Sequence, residues 1–207
     1  MASVVTFDRG QTYNGPTLTI DTTNYTGVGL EGQIRVWDRD DSTSESSQVR
    51  TNQKVVGIIV RNTSGINLLP GRMLRAASGF YGKRVDGYAT TTAALACGVV
   101  DDRLPSAGVR NGDLFYMIVQ GPCFVRQALS NLAADVAQGD WLFSITGATS
   151  QCTTSGRFDR YVGTFTAAQT TDGGGFDILN HGIGYSMSTS LTSNTNGNVL
   201  VDLRLRY

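Results

Sequence analysis

A turn-and-strand unit occurs twice in the chain and leaves little room for a helical fold. Val109-Arg110-Asn111-Gly112-Asp113-Leu114-Phe115-Tyr116 and Val136-Ala137-Gln138-Gly139-Asp140-Trp141-Leu142-Phe143 share the pattern apolar-x-x-Gly-Asp-apolar-apolar-aromatic. The glycine supplies a positive φ at the turn, the aspartate can bond the local backbone, and the apolar run enters a strand. A weaker echo sets Gly71, Gly79 and Gly98 beside Gly139, Gly147 and Gly163, with a first gap of eight residues in both sets. Duplication of a hairpin unit and plain reuse of one turn chemistry both produce such echoes.

Strand patterns fill the spaces between the turns. Val199, Val201, Leu203, Leu205 and Tyr207 alternate with Leu200, Asp202, Arg204 and Arg206, which predicts a strand with one apolar and one mostly charged face. Lys54–Val60 (KVVGIIV) is a short β-branched run suited to a buried strand. Gln33–Trp37 reads as a strand with Ile34 and Val36 on one face, and Leu69-Pro70-Gly71 marks a turn feeding another. Composition agrees: Gly, Thr, Ser and Asn make up 76 of the 207 residues, against only 2 Lys and 2 Glu, the usual fillers of exposed helix faces. One segment, Arg126–Gln138, has helical spacing and predicts either a short helix or a loop crossing the sheet.

The fold class expected is therefore all-β: a barrel or sandwich of short antiparallel strands, with an extended N-terminal arm and at most one short helix. Residues 1–26 form the arm or a first hairpin. Residues 27–207 form a single β domain, with a polar, mobile loop expected at 38–53.

Little in the chain suggests reaction chemistry. The only histidine is His181, so a Ser-His-Asp triad would have to use it, and no G-x-S-x-G elbow is present. Gly27-Val28-Gly29-Leu30-Glu31-Gly32 fits G-x-G-x-x-G, but a strand pattern follows it where a dinucleotide site needs a helix. Asp38-Arg39-Asp40-Asp41 lacks the spaced oxygens, central glycine and distal glutamate of a calcium loop. Cys97, Cys123 and Cys152 are odd in number and without C-x-x-C spacing, so neither a disulfide framework nor a zinc site is signalled. No catalytic, cofactor-binding or metal-ligating residue is expected, and no cofactor. Formal net charge is zero, with 17 basic and 17 acidic residues, which argues against nucleic acid or a membrane surface as partner. The N-terminus lacks the pattern of a signal peptide, and cytoplasmic synthesis is expected. Arg outnumbers Lys fifteen to two, a bias that suits protein contact and also follows from genomic base composition.

The repeated turns, with Cys97-Gly98-Val99-Val100 and Tyr161-Val162-Gly163-Thr164 as strands, resemble the cement (decoration) proteins of tailed-bacteriophage capsids. Gly112-Asp113, Gly139-Asp140, Gly98-Val99 and Val162-Gly163 occupy the turn and strand places, and the likeness spans roughly residues 54–185. It implies a non-enzymatic homo-oligomer, dimer or trimer, on the outer capsid surface of a virion, clamping neighbouring major capsid subunits. Val4, Val5, Phe7 and Tyr13 on the N-terminal arm are the side chains expected to meet the shell or another copy; filling the chain's own core is their alternative use. A phage tail or baseplate component and a glycan-binding β module are the rival readings.

Overall fold

The computed structural model describes residues 7–14, 30–38, 54–89, 96–126, 138–139, 141–144, 158–160, 182–187 and 198–205. Val4, Val5, residues 39–53, most of the 126–138 segment, Cys152, the 161–164 strand and His181 lie outside them.

The described residues are all-β. Ten strands follow in chain order: β1 (Ile34–Asp38), β2 (Lys54–Asn62), β3 (Met73–Ala76), β4 (Arg84–Tyr88), β5 (Ala96–Val100), β6 (Leu114–Arg126), β7 (Trp141–Ser144), β8 (Phe158–Arg160), β9 (Gly182–Ser186) and β10 (Asn198–Arg204). They form one sheet in the order β1-β2-β4-β3-β5-β6-β10-β9-β7-β8, and β2 also pairs with β6. That last pairing closes a ring, β2–β4–β3–β5–β6, so the middle of the sheet is a small barrel. Every pairing is antiparallel except β2–β4, a short parallel seam where Arg61 and Asn62 run beside Arg84 and Val85.

The turn chemistry appears where it was expected. Gly112 has φ 91° and Gly139 φ 90°. The Gly112 turn also locks to β2, since Gly112 N donates to Asn62 O at 2.8 Å and Asn62 N to Asp113 O at 2.9 Å. KVVGIIV forms most of β2, and the alternating C-terminal run forms β10.

Ring strands supply alternate residues to the barrel interior. Ile58, Val60, Leu74, Val85, Val100, Phe115, Met117 and Val119 meet Leu68, Leu104 and Val109 from the connecting loops. A ring this narrow is filled by side chains and leaves no channel. Each large apolar side chain so buried contributes about 1.5–3 kcal/mol. A second cluster joins Cys123, Val125, Val199, Val201 and Leu203 to Val55, Met73, Val99 and Ile118. β6 serves both: its residues 114–120 pair with β2, and residues 120–126 with β10.

Candidate interaction surfaces

Two surfaces stand out, one filled by the chain itself and one open. The filled one lies on the outer face of the β2–β6 ribbon, where Ile59, Leu114 and Tyr116 form an apolar strip. Residues 7–14 cross this strip as a strap. Phe7 packs on Tyr116 with ring centroids 4.9 Å apart, and Trp37 meets Tyr116 edge-on at 4.7 Å. The Phe7 carbonyl accepts from Tyr116 Oη and from Arg35 Nη1, both at 3.2 Å. Tyr13 forms an antiparallel bridge with Leu114.

Charge fastens the strap as well. Arg9 donates through Nε and Nη2 to Asp101 and through Nη2 to Asp102 at 2.9 Å, and its side chain is only 5% exposed. Gly10 N donates to Asp101 Oδ2 at 3.2 Å. Asp8 accepts from its neighbour Arg9 N and from Trp37 Nε1, both at 2.8 Å; these bonds, the Arg9 amide foremost, draw its carboxyl below the usual range despite some desolvation. Asp102 accepts from Phe124 N at 3.0 Å, so the charge cluster also ties the strap to β6. Burial raises the Asp102 carboxyl, with the Phe124 amide and Arg9 opposing it. A second buried pair joins Arg61 Nε to Glu31 at 2.8 Å, both side chains 4% exposed.

Phe7 is thus a core residue of its own domain in this structure, and Tyr13 is half-buried beside it. The strap exposes neither as a free apolar anchor.

The open surface runs along one edge. Among the described residues, six large apolar side chains are exposed, and four of them, Ile34, Val36, Phe80 and Tyr81, belong to β1 and the β3–β4 turn. The pattern of Gln33–Trp37 has two faces, as expected, but the face carrying Ile34 and Val36 is the open one. Trp37 decides this by packing against Tyr116. The β3–β4 turn is ordered by its own backbone: Phe80 N donates to Ala77 O, and Lys83 N and Arg84 N both donate to Phe80 O. Gly79 and Gly82 supply the positive φ values, and the Arg84 guanidinium lies 4.2 Å over the Phe80 ring. This turn abuts the start of β1, where a Cβ on Gly32 would stand 3.5 Å from Lys83 Cγ. Sequence patterning missed the aromatic tip; its signal is Phe80-Tyr81 held between two glycines, an expensive place for aromatics without a partner.

Reactive groups are few among the described residues. Burial pushes the Cys97 thiol up to about 12 and drives Cys123 well above its ordinary range, so neither is a ready nucleophile. No cluster of three or more His, Cys, Asp or Glu that could hold a metal ion occurs among the described residues. No described helix is long and apolar enough to cross a membrane. Leu30–Gly32, the end of the glycine-rich stretch, turns directly into β1, so the helix that a dinucleotide site requires is replaced by a strand.

No known protein-family model matches the chain, and no curated protein matches it. Among solved structures, the head fiber gp8.5 N base of bacteriophage phi29 is similar at 14% identity and a TM-score of 0.37, over 74% of this chain and 99% of that one.

Proposed function

We propose that this chain is a structural virion protein that decorates the outside of a phage capsid and steadies it by clamping neighbouring major capsid subunits, with no catalytic step. The supporting observation is how the described residues divide their chemistry. Apolar side chains fill the ring, the strap's buried cation is locked between the carboxylates of Asp101 and Asp102, and burial pushes the described thiols up, away from the reactive thiolate. The free apolar surface gathers on one edge. A body built this way offers surfaces for other proteins. The repeated Gly-Asp turns, with their resemblance to cement proteins, support a position on a shell.

Clamping works through multivalency. A homo-oligomer bridging several shell subunits gains effective concentration at every contact after the first, so weak contacts add up to firm retention. Zero net charge suits a protein held in an assembly and gives no electrostatic drive toward DNA.

Quantitative mass spectrometry of purified virions tests the proposal through copy number relative to the major capsid protein. A ratio of one, or a simple fraction of it, is expected. A ratio of a few per cent reassigns the chain to the tail or baseplate. Absence from the particle overturns the virion reading and favours the glycan-binding module.

A further inference from the structure

We infer that the edge of β1 that no described strand pairs joins two copies of this chain by antiparallel strand pairing about a two-fold axis at Val36. The inference names the surface behind the homo-oligomer of the proposed function, but its test needs only the isolated protein. Its outcome is therefore read separately from the copy number in virions that tests the proposed function.

The backbone is the starting point. Alternate residues of an antiparallel strand offer their N–H and C=O groups to opposite neighbours. Ile59 N donates to Gln33 O at 2.9 Å, which assigns the odd-numbered residues of β1 to β2. Ile34, Val36 and Asp38 therefore aim their backbone groups at the other side, where no described strand pairs. Soluble proteins ordinarily blunt such an edge with charge, proline or a bulge. Here it carries Ile34 and Val36 at 66% and 52% exposure.

Charge then selects a second copy as the occupant. The C-terminal end of β1 carries Asp38, whose side chain is 77% exposed and, among the described residues, pairs with the similarly open Lys54. The N-terminal end lies beside Lys83, which leads into Arg84 at the start of β4, and neither has a carboxylate partner among the described residues. Laid antiparallel, the acidic end of each strand meets the basic end of the other, twice. A two-fold interface needs this self-complementarity. With the axis at Val36, the two Val36 side chains face each other, Ile34 stands opposite Asp38, and Arg35 opposite Trp37. Ile34, Val36 and Asp38 all belong to the hydrogen-bonding set that this pairing needs. Tyr81 and Phe80 extend the apolar contact beyond the strand ends.

Two variants test it beside the native chain. Residues in a hydrogen-bonded antiparallel pair have Cα atoms about 5.5 Å apart, inside the range a disulfide spans. Val36→Cys is expected to give a covalent dimer on mild oxidation, with peptide mapping locating the link between the two introduced thiols. Val36→Pro removes an N–H that faces away from β2 and leaves the bonds to β2 intact; it is expected to halve the mass that light scattering reports for the native chain. A monomeric native chain overturns the inference, as does a folded Val36→Pro variant of undiminished mass. If Val36→Pro does not fold, the Val36→Cys result decides alone, and absence of a disulfide between the introduced thiols overturns the inference.

Discussion

Gly112 and Gly121 separate two costs that a glycine can conceal. Both sit at positive φ, 91° and 89°. A Cβ on Gly112 would enter open space, whereas one on Gly121 would run into the backbone carbonyl of Lys54. Gly112→Ala is expected to cost only the left-handed backbone penalty, about 1–2 kcal/mol. Gly121→Ala adds overpacking, a further cost of about 1–3 kcal/mol. Urea unfolding of both variants checks this, and equal losses would mean that the β6 backbone yields at Gly121. Asp102 makes a prediction in pH. Its carboxyl lies above the usual 3.8, chiefly because it is buried. The folded chain thus holds that proton more tightly than the unfolded chain. The resulting stabilisation is fully present below 3.8 and is lost as pH rises through the elevated folded value. Asp102→Asn has no such proton, so the variant should gain on the native chain as pH climbs from 3.8 through that value. A pH-independent difference in urea stability would exclude Asp102 as the titrating group. The Gly112 turn was legible in the sequence because its chemistry is local. The Arg9–Asp101 pair was not: its partners stand 92 positions apart, and no periodicity announces a contact made by folding.

At the scale of elements, the strap and β1 show where patterning reaches and where it stops. Lys54–Val60 declared its strand as a short β-branched run, buried on both faces, and the C-terminal segment declared its own by alternation. Residues 33–37 declared two faces as well. Which face meets water depended on whether Trp37 or Ile34 found a partner, and that partner, Tyr116, comes from a strand far along the chain. The N-terminal segment was open between arm and core for the same reason: alternation marks apolar residues without saying whose surface they cover. Phe7 is now the strap's main apolar anchor. Phe7→Ala should lower stability by about 3–5 kcal/mol, as for other buried phenylalanines. It should also speed hydrogen exchange at Leu114 N, which donates to Tyr13 O at 2.8 Å. Loss of stability with unchanged exchange at Leu114 would show that the strap stays down without Phe7.

For the whole molecule, the decisive feature is ring closure, which no local pattern encodes. The all-β class followed from turns and composition, but the strand order follows from β2 meeting β6, a pairing between distant segments. The ring's thinnest seam is β2–β4, held by Arg61 N to Lys83 O at 3.0 Å and Thr63 N to Val85 O at 2.8 Å. Asn62 braces it from inside. The side chain donates to Ile66 O and Val109 O and accepts from Ser64 N and Ser64 Oγ. Asn62→Ala leaves these groups short of partners, at about 1–3 kcal/mol for each that remains buried. Exchange at Thr63 N should rise before global unfolding does; protection that falls only with global stability would place the weak point elsewhere.

β6 gives this architecture a mechanical character. One strand of 13 residues belongs to the ring over its first half and to the β10 sheet over its second. A pull along β6 that draws the two halves apart loads both ladders lengthwise, so the bonds of each share the force and yield together. Peeling, which breaks hydrogen bonds one by one, would need a force directed across the strands. The body is therefore stiff to tension along β6 and softer to a sideways pull, and the direction from which a neighbour tugs decides how long it holds.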